Sequence, residues 1–111
     1  MGLKYRLFLE GNTIYGCINC KTHLSTSDAI LSRQFQGQHG QAYLFDRVVN
    51  IIEGVAEERE MVTGIHTVKD ISCIRCNTTL GWIYIRAHSA ENKYKEGKCI
   101  LERKLLVNNV C

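Results

Sequence analysis

Apolar positions along this chain come in short runs that alternate with polar residues and stop at turn formers. Residues 5–9 alternate weakly, and residues 41–45 follow the turn sequence Gly37-Gln38-His39-Gly40. Residues 48–52 and 59–63 flank Glu53-Gly54 and an acidic patch of Glu57, Glu58 and Glu60. Residues 67–72, 81–86 and 98–107 complete the set. A period of two, rich in β-branched and aromatic residues and broken by turns every ~8–12 residues, predicts strands packed as a sandwich or barrel of sheets. One helical turn is expected at 89–94 with Ser89 as its cap, and 25–31 reads as a capped turn or a loop. The chain has nine glycines and no proline, so its turns must come from Gly, Asn, Asp and Ser. Glu10-Gly11-Asn12, Thr63-Gly64 and Glu96-Gly97 are further candidates.

Composition narrows the class. At 111 residues, 45% hydrophobic and 23% charged, the chain suits one domain over 1–111 and excludes disorder, collagen and coiled coil. Apolar runs such as Leu105-Leu106-Val107 are far shorter than the ~20 residues of a membrane helix, so no membrane span is expected. Met1-Gly2-Leu3-Lys4-Tyr5-Arg6 leads into no signal-like apolar stretch, and Arg6 breaks the myristoylation pattern. The expectation is a soluble intracellular protein. The net charge of +3 is spread from Lys4 to Lys104 without blocks, which argues against nucleic acid as a partner.

The cysteines carry the chemistry. Cys17-Ile18-Asn19-Cys20 and Cys73-Ile74-Arg75-Cys76 are two C-x-x-C pairs. Two intervening residues let a tight turn aim both sulfurs at one point about 2.3 Å from a metal, and two such knuckles complete a tetrahedron. Short disulfides are disfavoured in a reducing compartment, and a thioredoxin-like C-x-x-C comes once rather than twice. The reading is one Zn²⁺ on Cys17, Cys20, Cys73 and Cys76. Four thiolates leave no position for water, so the metal is structural. The 52 residues between the pairs exceed the spacing of a small zinc ribbon. Closing such a loop costs about 3.5 kcal/mol, against on the order of 10–16 kcal/mol from a structural zinc. The apoprotein is expected to be unfolded or badly frayed. Cys99 reads as a small core residue on a strand, and Cys111, the last residue, as exposed.

These positions resemble the yippee-like family. Cys17 and Cys20 open the pattern; Gly40, Leu44, Asn50 and Gly64 follow at the family's intervals. Cys73, Cys76 and Gly81-Trp82-Ile83-Tyr84 come next, and Lys95 and Glu102 close it. The resemblance implies two antiparallel sheets pinned at one end by zinc, the β-tent or yippee fold. It also implies kinship with the thalidomide-binding domain of cereblon, the Mis18 centromere proteins and methionine-R-sulfoxide reductases. Yippee-like proteins are mostly described as non-enzymatic zinc-binding proteins of nucleus and cytoplasm. Some associate with the GID/CTLH ubiquitin ligase, others with centrosome and spindle regions. The function expected from the resemblance is therefore a non-enzymatic protein-interaction module with protein partners.

Trp82 and Tyr84 stand two apart on one strand and point to one face. They are either a core aromatic pair or one wall of a ligand cage. In the cereblon-like relatives the tryptophan of the matching motif lines such a cage, and Trp82 takes its place. The other cage tryptophans have no counterpart, because Trp82 is the chain's sole tryptophan. A reduced small-ligand or peptide pocket would use Trp82, Tyr84 and His66. Asn50, an amide between Val49 and Ile51, is either a structural hydrogen-bonding residue or a ligand contact. His23 is read as a surface residue or one supporting the metal site, and His39 and His88 as loop residues. A methionine-sulfoxide reductase would need an activated cysteine away from the zinc; Cys99 is the internal candidate and lacks that family's surroundings.

Overall fold

The computed structural model describes residues 7–108. A three-stranded antiparallel sheet is built from β1 (Ile14–Cys17), β2 (His23–Thr26) and β10 (Leu106–Asn108), in the order β10-β1-β2. The larger sheet runs β3-β4-β9-β8-β7-β5, with β6 also paired to β7. Its strands are β3 (Ile30–Gly37), β4 (Gly40–Phe45), β5 (Ile51–Glu53), β6 (Glu57–Met61), β7 (Gly64–Cys73), β8 (Thr79–Ala87) and β9 (Cys99–Glu102). The short β5 and β6 share one edge of the long β7. Ile51 pairs with Cys73 at one end, and Glu57 pairs with Val68 further along.

Each face of the large sheet carries its own apolar cluster. Tyr43, Phe45, Ile71, Leu80, Cys99 and Leu101 pack against Tyr15, Leu24 and Leu106 of the small sheet. Ala42, Leu44, Val68, Trp82, Tyr84 and Ile100 form the second cluster on the opposite face, with Phe35 and Met61 packed over it. The strict alternation along β4, β7 and β9 divides the residues this way. Along β8 the alternation breaks. Ile71 pairs with Gly81 but Ser72 pairs with Thr79, a bulge that turns Leu80 toward the small sheet and Trp82 away from it.

Gly81 makes this arrangement possible. A Cβ there would lie 1.9 Å from the Ile100 carbonyl oxygen, so β8 approaches β9 closer than any side chain permits. At the β3–β4 turn, Glu102 reaches under Gly37 and accepts hydrogen bonds from the His39 backbone N–H at 2.7 Å and ring Nδ1 at 3.0 Å. The Gly37–Gly40 turn is thereby fixed to the end of β9.

The mainly β expectation holds, and three local expectations change. The described part of segment 5–9 is not a strand. Leu7 and Phe8 are exposed there, and the backbone bonds to side chains instead. Residues 98–107 are two strands in different sheets, because a 3-10 turn (Arg103–Leu105) redirects the chain between β9 and β10. Of residues 48–52, only Ile51 and Ile52 are strand; Asn50 has φ +59° and breaks the run. The turn expected at 89–94 is a 3-10 helix over Ala90–Lys95 with Ser89 before it. The Ser89 hydroxyl accepts from the Asn92 side chain rather than capping the backbone. Within 25–31, a 3-10 turn covers Ser27–Ala29. Cys99 lies buried in β9 as expected; Cys111 falls outside the described residues.

Candidate metal centre and the Trp82 cleft

Two knuckles of the same construction bring the cysteines together. In the first, Lys21 N–H donates to Cys17 C=O at 2.7 Å, and Cys17 N–H to Thr22 C=O at 3.0 Å. In the second, Asn77 N–H donates to Cys73 C=O at 2.8 Å, and Cys73 N–H to Thr78 C=O at 2.9 Å. Lys21 at φ +62° and Asn77 at φ +64° close the two turns in the same left-handed conformation. Thr22 Oγ1 lies 3.1 Å from Cys20 Sγ, and Thr78 Oγ1 lies 3.1 Å from Cys76 Sγ. Asn19 Nδ2 bridges the knuckles by donating to Thr78 Oγ1 at 2.6 Å. The sequence carries this repeat as Cys-Ile-x-Cys-x-Thr at 17–22 and 73–78, a signal that the C-x-x-C spacing alone did not use.

All four Sγ atoms lie within 4.8 Å of one another. Cys17 and Cys76 approach to 3.5 Å, Cys20 and Cys73 to 3.4 Å, and all are free thiols. A tetrahedron with ~2.3 Å arms has edges of about 3.8 Å, so the four sulfurs fit one zinc-sized ion.

Each knuckle pairs one cysteine whose ionisation burial disfavours with one whose ionisation hydrogen bonds favour. Burial pushes Cys17 up to about 12 and raises Cys73 as well. In Cys76 burial acts upward too, but the Thr78 hydroxyl and backbone N–H outweigh it and bring the thiol down to about 6. Cys20 is lowered in the same way by Thr22 against the effect of burial. A cation would displace the remaining protons and neutralise part of the charge.

The cleft lies on the other face of the large sheet. Phe35, Met61, Trp82, Tyr84, Tyr94 and Lys95 line a cavity of about 780 Å³. The Trp82 and Tyr84 rings meet edge to face with centroids 6.3 Å apart. Trp82 is only 9% exposed, and its indole N–H has no hydrogen-bond partner. Burial raises the Tyr84 phenol; the nearby indole opposes that rise without reaching hydrogen-bond geometry.

The other two candidates sit elsewhere. His66 is fully buried with its ring 5.2 Å from that of Tyr84, and Nδ1 lies 3.0 Å from the Gly64 carbonyl oxygen. It stands beside Tyr84 in the sheet and does not line the cavity. Burial lowers its pKa. Asn50 holds chain segments together. Its Nδ2 donates to the His23 carbonyl at 2.6 Å and the Leu7 carbonyl at 2.9 Å, and its Oδ1 accepts from Leu7 N–H at 2.7 Å. The Asn50 carbonyl accepts from Ile74 N–H at 2.9 Å, which ties this clamp to the second knuckle. A ligand contact by Asn50 is replaced by this structural one, because every polar atom of its carboxamide is engaged by the chain. His23 supports the same clamp: it is buried, and its Nδ1 accepts from Leu9 N–H at 2.9 Å.

A mainly β chain with two antiparallel sheets and a four-cysteine cluster that fits a metal is the class defined by these features. Residues 13–109 match the Yippee-Mis18 family, described as "Yippee zinc-binding/DNA-binding /Mis18, centromere assembly". The chain belongs to this family. A yippee-like protein of Solanum tuberosum is 52% identical over 103 residues, covering 93% of this chain and 79% of the relative. Yippee-like 4 of Homo sapiens is 50% identical over 95 residues, covering 86% of this chain and 75% of the relative. The crystal structure of the Mis18 yippee-like domain superposes with a TM-score of 0.69 at 15% identity, covering 87% of this chain and 94% of that one. That likeness is one of fold.

Proposed function

We propose that this chain is a non-enzymatic protein-interaction module whose shape is set by one structural zinc on Cys17, Cys20, Cys73 and Cys76. The observation that carries the reading is the convergence of four sulfurs from two matching knuckles. A complete thiolate set fills the tetrahedron and leaves no position for a reacting water. Among the described residues the cysteine outside the set is Cys99; it is 4% exposed, and burial pushes its thiol up to about 12. That is the opposite of an activated nucleophile, so it does not support a sulfoxide reductase.

The partner we propose is a ubiquitin ligase assembly of the GID/CTLH type, met in nucleus and cytoplasm. Support for this is the family resemblance. Affinity purification of the tagged chain from cells tests it. Co-purifying ligase subunits support the assignment, and their absence under gentle lysis removes it. The family's description includes DNA binding, whereas a scattered net charge of +3 favours proteins over nucleic acid. DNA binding with a steep salt dependence would reverse that preference.

A second reading has an observation of its own. The Trp82 cleft, at about 780 Å³, falls within the ~300–1,000 Å³ of small-molecule sites and sets the aromatic side chains of Phe35, Trp82, Tyr84 and Tyr94 beside polar groups such as Gln34, Arg59 and Lys95. It would hold a small ligand while the rest of the surface meets protein.

A further inference from the structure

The floor of the cleft contains a cation without a counter-charge. Lys95 is 2% exposed. Its Nζ donates to Thr63 Oγ1 at 3.0 Å. It lies 5.4, 5.5 and 5.9 Å from the ring centroids of Phe35, Tyr84 and Tyr94. No carboxylate among the described residues lies within ion-pairing distance of it, although seven other ion pairs form across the molecule. Buried lysines are rare unless paired, and an unpaired one is costly. Burial lowers the Lys95 pKa with no charge partner to restore it.

The cavity's other charged lining does not serve Lys95. Arg59 is held by Glu57 and by Asp70 at 3.0 Å, and Glu60 is exposed. Trp82 also lines this cavity, with its buried indole N–H turned out of reach of it. A cation without a counter-charge on an aromatic-lined cavity defines what would complete it: a negative oxygen acceptor on a flat apolar body.

We propose that the Trp82 cleft binds a small aromatic carboxylic acid, its carboxylate taken by Lys95 Nζ and its ring lying among Phe35, Met61, Trp82 and Tyr84. This rests on the reading of the cleft as a ligand site and adds the ligand's charge and chemical class. A charge-assisted hydrogen bond in a half-enclosed cavity is stronger than a neutral one, so the acid should be distinguished from its uncharged isostere.

The test compares phenylacetate with phenylacetamide, and 3-phenylpropionate with its amide, by emission of the sole tryptophan in the zinc-loaded protein. The expected result is saturable change with both acids and binding of both amides weaker by about tenfold or more. Lys95→Met keeps the aliphatic stem and removes the charge. With zinc content and circular dichroism unchanged, it should abolish the preference for acid over amide. The acid–amide comparison on the unaltered chain stands even if that variant does not fold. Equal binding of acid and amide overturns the carboxylate assignment and leaves the cleft as a ligand site. No response to any of the four at about 10 mM, the limit of useful affinity for such small probes, overturns both.

Discussion

Gly81→Ala puts one methyl group where the structure has no room for it. The new Cβ would sit 1.9 Å from the Ile100 carbonyl oxygen and 2.8 Å from its carbon, whereas real Cβ contacts stay beyond 3.0 Å. Both obstacles are backbone, so no rotamer change relieves the clash. The gap between β8 and β9 must widen by more than an ångström, in the middle of the large sheet. That breaks ladder bonds around the Gly81–Leu101 and Trp82–Ile100 pairs and lifts Trp82 off Ile100. Lost ladder bonds at about 1 kcal/mol each and forced repacking at about 1–3 kcal/mol sum to roughly 4 kcal/mol or more. Set against a whole-domain stability of about 5–15 kcal/mol, that is a large fraction. Urea unfolding at fixed zinc, followed by Trp82 emission, reads the loss, and the native spectrum should shift because the residue next to Trp82 has moved. Gly40→Ala is the contrast: open space surrounds it, but φ +107° strains a side chain by about 1–3 kcal/mol, without changing Trp82 emission. A Gly81→Ala protein within about 1 kcal/mol of the original and with unchanged native emission would refute the close-approach argument.

Asn50→Leu should cost about 2–4 kcal/mol, since it orphans the backbone groups of Leu7 and His23 and sets a branched side chain at φ +59°; Asn50→Gly should cost less, and thermal unfolding separates them. Glu102→Ala should release the Gly37–Gly40 turn, seen as faster hydrogen exchange at the His39 amide, with a loss of about 1–3 kcal/mol. Cys99 should resist iodoacetamide in the folded protein and react on unfolding. The folded Cys99 thiol keeps its proton up to about 12 while an unfolded one releases it near 9.0. Its contribution is therefore intact below pH 9 and falls above it, by about 1.4 kcal/mol at pH 10. Cys99→Ala should flatten that decline, measured as urea stability at pH 8 and pH 10.

What the sequence revealed follows from how much of each feature is local. β7 is ten residues long, and β8 alternates from Trp82 to Ile85 beyond its bulge, so their apolar positions were legible. β1, β2 and β10 are three or four residues each, too short for a period to register. β3 is an edge strand of Ile, Leu, Ser, Arg, Gln and Phe, half-exposed throughout, so its pattern resembles a loop. The knuckles were legible because ligand geometry is encoded in spacing. The repeated threonine at 22 and 78 was equally local and marks the residues that tune Cys20 and Cys76. Asn50 was placed between two opposite roles by its neighbours, and only its partners at Leu7 and His23 decide between them. The Lys95 environment was not legible at all. Phe35, Thr63 and Tyr84 reach it from three different strands or turns, and no pattern around residue 95 announces that it is buried.

The fold is expected to depend most on a metal at the two knuckles. Zinc per chain in protein purified without added metal, measured before and after chelation together with near-ultraviolet circular dichroism, tests this directly. The prediction is one zinc per chain, loss of tertiary signal on its removal, recovery when it is returned, and failure of Cys73→Ser to hold either metal or fold. Protein that carries no zinc, or that keeps its tertiary signal and stability once the metal is gone, would contradict it.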